Sequence, residues 1–118
     1  MKILSQKIHG IIDFLVVLFL LSSPTLFGFT GLLAYFTYSL GIVHLLLTLL
    51  TDFNSGVIKI IPLPIHGLIE LLVGVVLVVL AYTLFKGNEM GKVFYTIFGI
   101  AVLVVWLITD YGQQKDVN

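Results

Sequence analysis

From Phe14 to Thr51 the chain runs without a single Asp, Glu, Lys or Arg. Two further apolar stretches follow: Pro62 to Phe85, interrupted by His66 and Glu70, and Val93 to Ile108. A bilayer core about 30 Å thick takes around 20 helical residues to cross, so the first stretch is long enough for most of two crossings. "SSPTLFGFTG" (Ser22 to Gly31) divides it, because proline removes a backbone donor and the glycines let the chain turn. The pattern predicts an all-α membrane protein with four transmembrane helices, at about 8–27, 31–51, 62–85 and 93–110. "TDFNSGVIKIIPLP" links the second helix to the third, "KGNEMGK" the third to the fourth, and "YGQQKDVN" follows as a solvated tail. The whole chain, 1–118, is expected to be one transmembrane domain. The first segment reads as a span rather than a cleaved signal, since it lacks a small-x-small site and carries Asp13.

The helices come in pairs. Ile8-His9-Gly10 returns as Ile65-His66-Gly67, with Asp13 answered by Glu70. "GIVHLLLTLLTDF" (Gly41 to Phe53) returns as "GIAVLVVWLITDY" (Gly99 to Tyr111). The repeating unit is a helical hairpin, used at about 8–53 and again at about 65–111. Each unit crosses twice, so the copies point the same way, and their symmetry axis should follow the membrane normal: a parallel internal repeat.

Composition agrees with the pattern and narrows the partners. Apolar residues make up 59% of the chain and charged ones 10%, against roughly 25% charged in an average soluble domain. So small a soluble protein could not hide that much apolar surface, so the expected partner is the lipid bilayer. Six Lys and Arg offset six acids, and without a basic patch no nucleic acid is expected. The absence of cysteine excludes disulfides and thiol chemistry. Lys2, Lys7, Lys59 and Lys115 fall on one side of the predicted topology, Lys86 and Lys92 on the other. By the positive-inside rule both termini are cytoplasmic.

Two tandem hairpins, each opening His-Gly-x-x-acid, and "SSPTLFGF" after the first helix together resemble the SPW-repeat family of small bacterial integral membrane proteins. The likeness covers nearly the whole chain, although Ser23-Pro24 is followed by Thr25 rather than tryptophan and the second copy has no Ser-Pro. It implies the bundle and the bacterial inner membrane. It brings no activity or catalytic residues.

The candidate chemistry lies at the cytoplasmic end. His9 and Asp13 are four apart, one turn along the same helix face, and His66 and Glu70 repeat that spacing. The second and fourth helices end on the same side, at Asp52 and Asp110, and His44, Thr48 and Asp52 share a stripe. Charges inside a membrane cost about 2.5–3.5 kcal/mol each even on lenient scales, so this group must be paired, protonated, hydrated or bound to an ion. An acid at a helix C-terminus meets the negative end of the dipole. His9 and His66 are therefore the expected partners of Asp52 and Asp110, one lock per hairpin. His44 is matched by Val102 and so breaks the repeat. Gly10, Gly41, Gly67, Gly74 and Gly99 are candidates for close helix contact and for dimerisation.

Three functional readings follow. The cluster of His9, Asp13, His44, Asp52, His66, Glu70 and Asp110 is a candidate for binding a cation or protons, histidine being the side chain that titrates near neutral pH. His9, His66, Asp13 and Glu70 suit zinc, iron or manganese, although di-iron bundles use Glu-x-x-His, three apart rather than four. Haem would need facing histidines with a cavity between them. The simplest reading is an accessory or structural membrane protein with no cofactor, whose cluster locks the bundle and whose partner is a second copy or another membrane protein. No nucleophile–base pattern, nucleotide loop or metalloprotease motif argues for an enzyme.

Overall fold

The computed structural model describes residues 3–51 and 60–111. Four helices account for nearly all of them: α1 (Gln6–Phe27), α2 (Gly31–Leu50), α3 (Leu63–Ala81) and α4 (Glu89–Ile108). Each is long and apolar enough to cross a membrane. No strand forms among the described residues.

The helix ends follow from local chemistry. Ser5 caps α1, its hydroxyl accepting from the Ile8 N–H at 3.2 Å. Pro24 stays inside the last turn of α1 rather than ending it. There Ser22 and Ser23 donate back to the Leu18 and Phe19 carbonyls, both at 2.6 Å. The helix stops at Gly28, whose φ of 72° puts it in the left-handed region that closes helices, and Phe29 N–H donates to Pro24 O at 2.9 Å. Asn88 caps α4 by accepting from the Gly91 N–H at 3.1 Å. The apolar run from 62 to 85 is not all helix. α3 ends at Ala81, the chain turns through 82–87, and α4 starts at Glu89, placing an acid in its first turn where the dipole favours one.

α1 packs along α2 and α3 along α4, giving two hairpins. Glycines set the close approaches. A Cβ on Gly99 would lie 2.7 Å from Val78 Cγ2 and 3.1 Å from the Gly74 carbonyl, and one on Gly41 would lie 2.8 Å from Leu21.

The hairpins are joined at both ends. At the end where α4 begins, Phe29, Leu33, Leu77, Ala81, Phe85 and Tyr95 form an apolar core. The Tyr95 hydroxyl donates to Thr37 Oγ1 at 2.6 Å, and Thr37 donates onward to the Leu33 carbonyl. At the other end two short parallel bridges, Leu4 with Thr109 and Ile61 with Thr51, tie the start of each odd helix to the end of an even one. Leu4 and Ile61 occupy like places in the two repeats, as do Thr109 and Thr51, so the bridges express the parallel repeat in three dimensions.

Polarity runs from inside to outside. Buried side chains include His9, Asp13, Thr37, Thr48, Thr51, His66, Glu70 and Thr109, while Leu15, Leu18, Ile42, Leu72, Val76, Ile100 and Val104 are exposed. A surface of aliphatic side chains, with the polar groups kept inside, is stable against lipid, not water. This is a small four-helix membrane protein.

Candidate metal centre

His9 and Asp13 lie in the first two turns of α1, and His66 and Glu70 occupy the same turns of α3. The bridges that join the hairpins press these two helix starts together. All four side chains are buried. Their inner atoms converge: His9 Nε2 is 3.0 Å from Glu70 Oε2 and 3.3 Å from Asp13 Oδ2, and His66 Nε2 is 3.1 Å and 3.0 Å from the same two oxygens. One donor atom from each residue lies within 4.8 Å of every other.

The outer ring nitrogens are held by threonines from the opposite hairpin. His9 Nδ1 is 2.8 Å from Thr109 Oγ1, at the end of α4, and His66 Nδ1 is 2.8 Å from Thr51 Oγ1, at the end of α2. Each hydroxyl also lies 2.6 Å from a carbonyl one turn back, Val105 for Thr109 and Leu47 for Thr51. Two oxygens that close need a proton between them, so the hydroxyl donates to the carbonyl and can only accept from the imidazole. Both Nδ1 atoms therefore carry hydrogen. The Nε2 atoms are left to face the carboxylates.

Tyr111 completes the surroundings. Its hydroxyl donates to Glu70 Oε1 in a short hydrogen bond, and its ring stacks edge-on against His9 with centroids 5.4 Å apart. Burial, and then the adjacent Glu70 carboxylate, push the Tyr111 hydroxyl far above the ordinary tyrosine range, so it remains a donor. A Cβ on Gly67 would stand 3.0 Å from the Tyr111 ring, so the glycine after His66 makes room for this tyrosine.

One oxygen is unaccounted for. Asp13 Oδ2 is buried and receives no aligned hydrogen bond among the described residues, although both Nε2 atoms are near it. His44, on α2, brings Nε2 to 3.6 Å from Asp13 Oδ1, too far for a hydrogen bond.

Of the seven polar candidates, His9, Asp13, His66 and Glu70 meet at one point and His44 stands beside it. Asp110 is half-buried, its N–H donating to the Leu4 carbonyl at 3.2 Å, and it is not one of the four convergent ligands. Asp52 lies outside the described residues. Among the glycines, Gly41, Gly74 and Gly99 sit at contacts within hairpins, Gly67 lies under Tyr111, and Gly10 is buried in α1. The expected lock paired His9 and His66 with Asp52 and Asp110; among the described residues, each Nδ1 is held by a threonine of the other hairpin. Each threonine hydroxyl satisfies Nδ1–H and its own helix together. The sequence carried a signal for Thr51, Thr109 and Tyr111, since the repeated phrase is Thr-Asp-aromatic and not the acid alone.

The chain matches no protein-family model, and no curated protein and no solved structure is significantly similar to it.

Proposed function

We propose that this is an accessory membrane protein whose two hairpins are clamped by one divalent metal ion, with zinc the best fit, held by His9, Asp13, His66 and Glu70. The observation that carries the reading is the orphaned Asp13 Oδ2. With both Nδ1 atoms already protonated, the centre collects two imidazole nitrogens and two carboxylate oxygens, which repel unless something positive lies among them. Two extra protons would make both rings cationic, but their aligned hydrogen bonds would both go to Glu70 Oε2, leaving Asp13 Oδ2 unsatisfied. An ion satisfies all four atoms.

Geometry and charge agree. Zinc bonds of about 2.0–2.1 Å in a tetrahedron hold ligand atoms about 3.3 Å apart; the four nitrogen–oxygen separations here are 3.0, 3.0, 3.1 and 3.3 Å, and all four donor atoms lie within 4.8 Å of one another. Two neutral imidazoles, two carboxylates and a dication sum to zero, which a low-dielectric site favours. Nδ1–H to a fixed acceptor, here Thr51 and Thr109, is the usual outer support of a ligating histidine. Four protein ligands make a closed, structural site rather than an open catalytic one. Haem fits worse: the Nε2 atoms converge on the same two oxygens, with no gap for a macrocycle.

The lysine distribution supports placing this clamp, and both termini, on the cytoplasmic side of a bacterial inner membrane. The same reading includes kinship with the SPW-repeat proteins, supported by the paired His-Gly-x-x-acid phrase and Ser23-Pro24. Proton translocation is the weaker use of the cluster, because beyond His44 the interior passes Leu20, Leu40, Val73 and Phe98, which carry no proton.

Elemental analysis of protein purified from membranes without added metal or chelator tests the proposal. Wild type should carry about one zinc per chain, and His9→Gln/His66→Gln close to none. A wild type that is metal-free, and that does not take up zinc when it is supplied, would overturn it.

A further inference from the structure

Toward the middle of the bundle from the cluster, a cavity of about 120 Å³ lies among all four helices. Its walls are apolar, with Leu20, Leu40, Val73 and Phe98 contributed one by each helix, and Asp13, His44 and Glu70 form the polar part of its lining. The cavity is unsymmetrical in a protein that is otherwise a repeat. His44 lines one side, and its repeat counterpart, Val102, also lines the cavity. Helix packing alone does not call for a histidine at one of two equivalent positions.

The polar groups here are incomplete. His44 Nε2 is closed off from solvent yet has no hydrogen-bond partner among the described residues. It stands 3.6 Å from Asp13 Oδ1, and Asp13 is 2% exposed. That gap is too wide for a direct bond and suits a third oxygen bonded to both. Water alone is a poor occupant, because a chamber with apolar walls stays dry away from its polar tip. An acyl chain would fill the walls but leave His44 and Asp13 unmet. The cavity is close in size to apolar protein cavities of about 150 Å³ that take up benzene.

We propose that this cavity binds a lipid-soluble molecule through a hydroxylated aromatic ring, of the phenol class. The ring packs against the apolar walls, and its hydroxyl donates to Asp13 Oδ1 and accepts from His44 Nε2–H. The site uses Oδ1, whereas the metal reading uses Oδ2, so it stands whichever cation occupies the centre, and a metal titration and a ring-binding assay can fail separately.

The test uses the full chain in lipid nanodiscs and fluorine NMR titration with 4-fluorophenol and fluorobenzene, with empty nanodiscs as the blank. The two probes share a ring and differ in the hydroxyl. Wild type should bind 4-fluorophenol saturably and about tenfold more tightly than fluorobenzene, as expected for one well-placed hydroxyl meeting a charged acceptor. His44→Leu should erase that preference, and His44→Gln, which keeps an N–H, should retain most of it. Val102→Phe fills the chamber from the opposite side and should abolish binding of both probes. The proposal is overturned by no saturable binding above the blank, by equal affinity of the two probes for wild type, or by undiminished binding to a folded Val102→Phe. Should Val102→Phe not fold, the contrast between His44→Leu and His44→Gln decides alone: unequal preference upholds the site, equal preference overturns it.

Discussion

Thr51→Val removes one oxygen and almost no volume, yet it strikes the arrangement at its support. The Thr51 hydroxyl is the acceptor for His66 Nδ1–H at 2.8 Å, and both residues are fully buried. Without it the N–H loses the hydroxyl acceptor it has at this fully buried position, and removing the partner of a buried donor costs about 1–3 kcal/mol. Losing such an outer partner of a ligating histidine weakens metal affinity by about 10–100-fold. The control is Thr96→Val, because the Thr96 hydroxyl donates only to the Lys92 carbonyl, at 2.6 Å. Removing that back-bond should change stability by less than about 0.5 kcal/mol. Unfolding in mixed detergent micelles, followed by circular dichroism, gives the first quantity, and zinc competition against a chromophoric chelator gives the second. Thr109→Val should copy Thr51→Val, because it holds His9 in the same way. Were Thr51→Val to match Thr96→Val in both measurements, the tautomer argument and the clamp built on it would be refuted.

Stripping metal with a membrane-permeant chelator should lower the melting temperature of wild type, and zinc should restore it, while His9→Gln/His66→Gln should respond to neither; differential scanning calorimetry in detergent reads this directly. Gly99→Leu drives a side chain toward Val78 and the Gly74 carbonyl, so α3 and α4 cannot close, and size-exclusion chromatography should show an aggregated or misassembled protein. Gly28→Ala meets no atom within 4 Å but is held at φ 72°, so its cost should be the backbone term alone, about 1–2 kcal/mol, measured by the same unfolding assay. Tyr111→Phe removes the donor to Glu70 Oε1 and should weaken zinc binding by up to about tenfold, less than Glu70→Gln, which removes a ligand.

The four helices were legible because lipid imposes a coarse rule: long apolar runs must be helical and must end where polarity returns. The ends of α3 and α4 were less legible, since Tyr82, Leu84 and Phe85 are as apolar as the helix before them and the turn at 82–87 shows only in geometry. His9, Asp13, His66 and Glu70 stood out because charge in an apolar segment is costly and the phrase occurs twice. Their partners did not. Sequence reading follows formal charge, so Asp52 and Asp110 drew attention, while the hydroxyls of Thr51 and Thr109, one residue earlier, hold the imidazoles. Pairing across hairpins was also hidden, because periodicity places residues on a helix face but does not say which helix that face meets. The two bridges at Leu4 and Ile61 settle it, and they depend on backbone groups that no side-chain pattern announces.

X-ray absorption at the zinc edge, on protein loaded with one equivalent, tests the clamp most directly. The account predicts a single shell of four nitrogen and oxygen neighbours at about 2.0–2.1 Å, with the outer scattering of two imidazoles, lost in His9→Gln/His66→Gln. A six-oxygen shell without imidazole scattering, or a spectrum unchanged in that double variant, would contradict it.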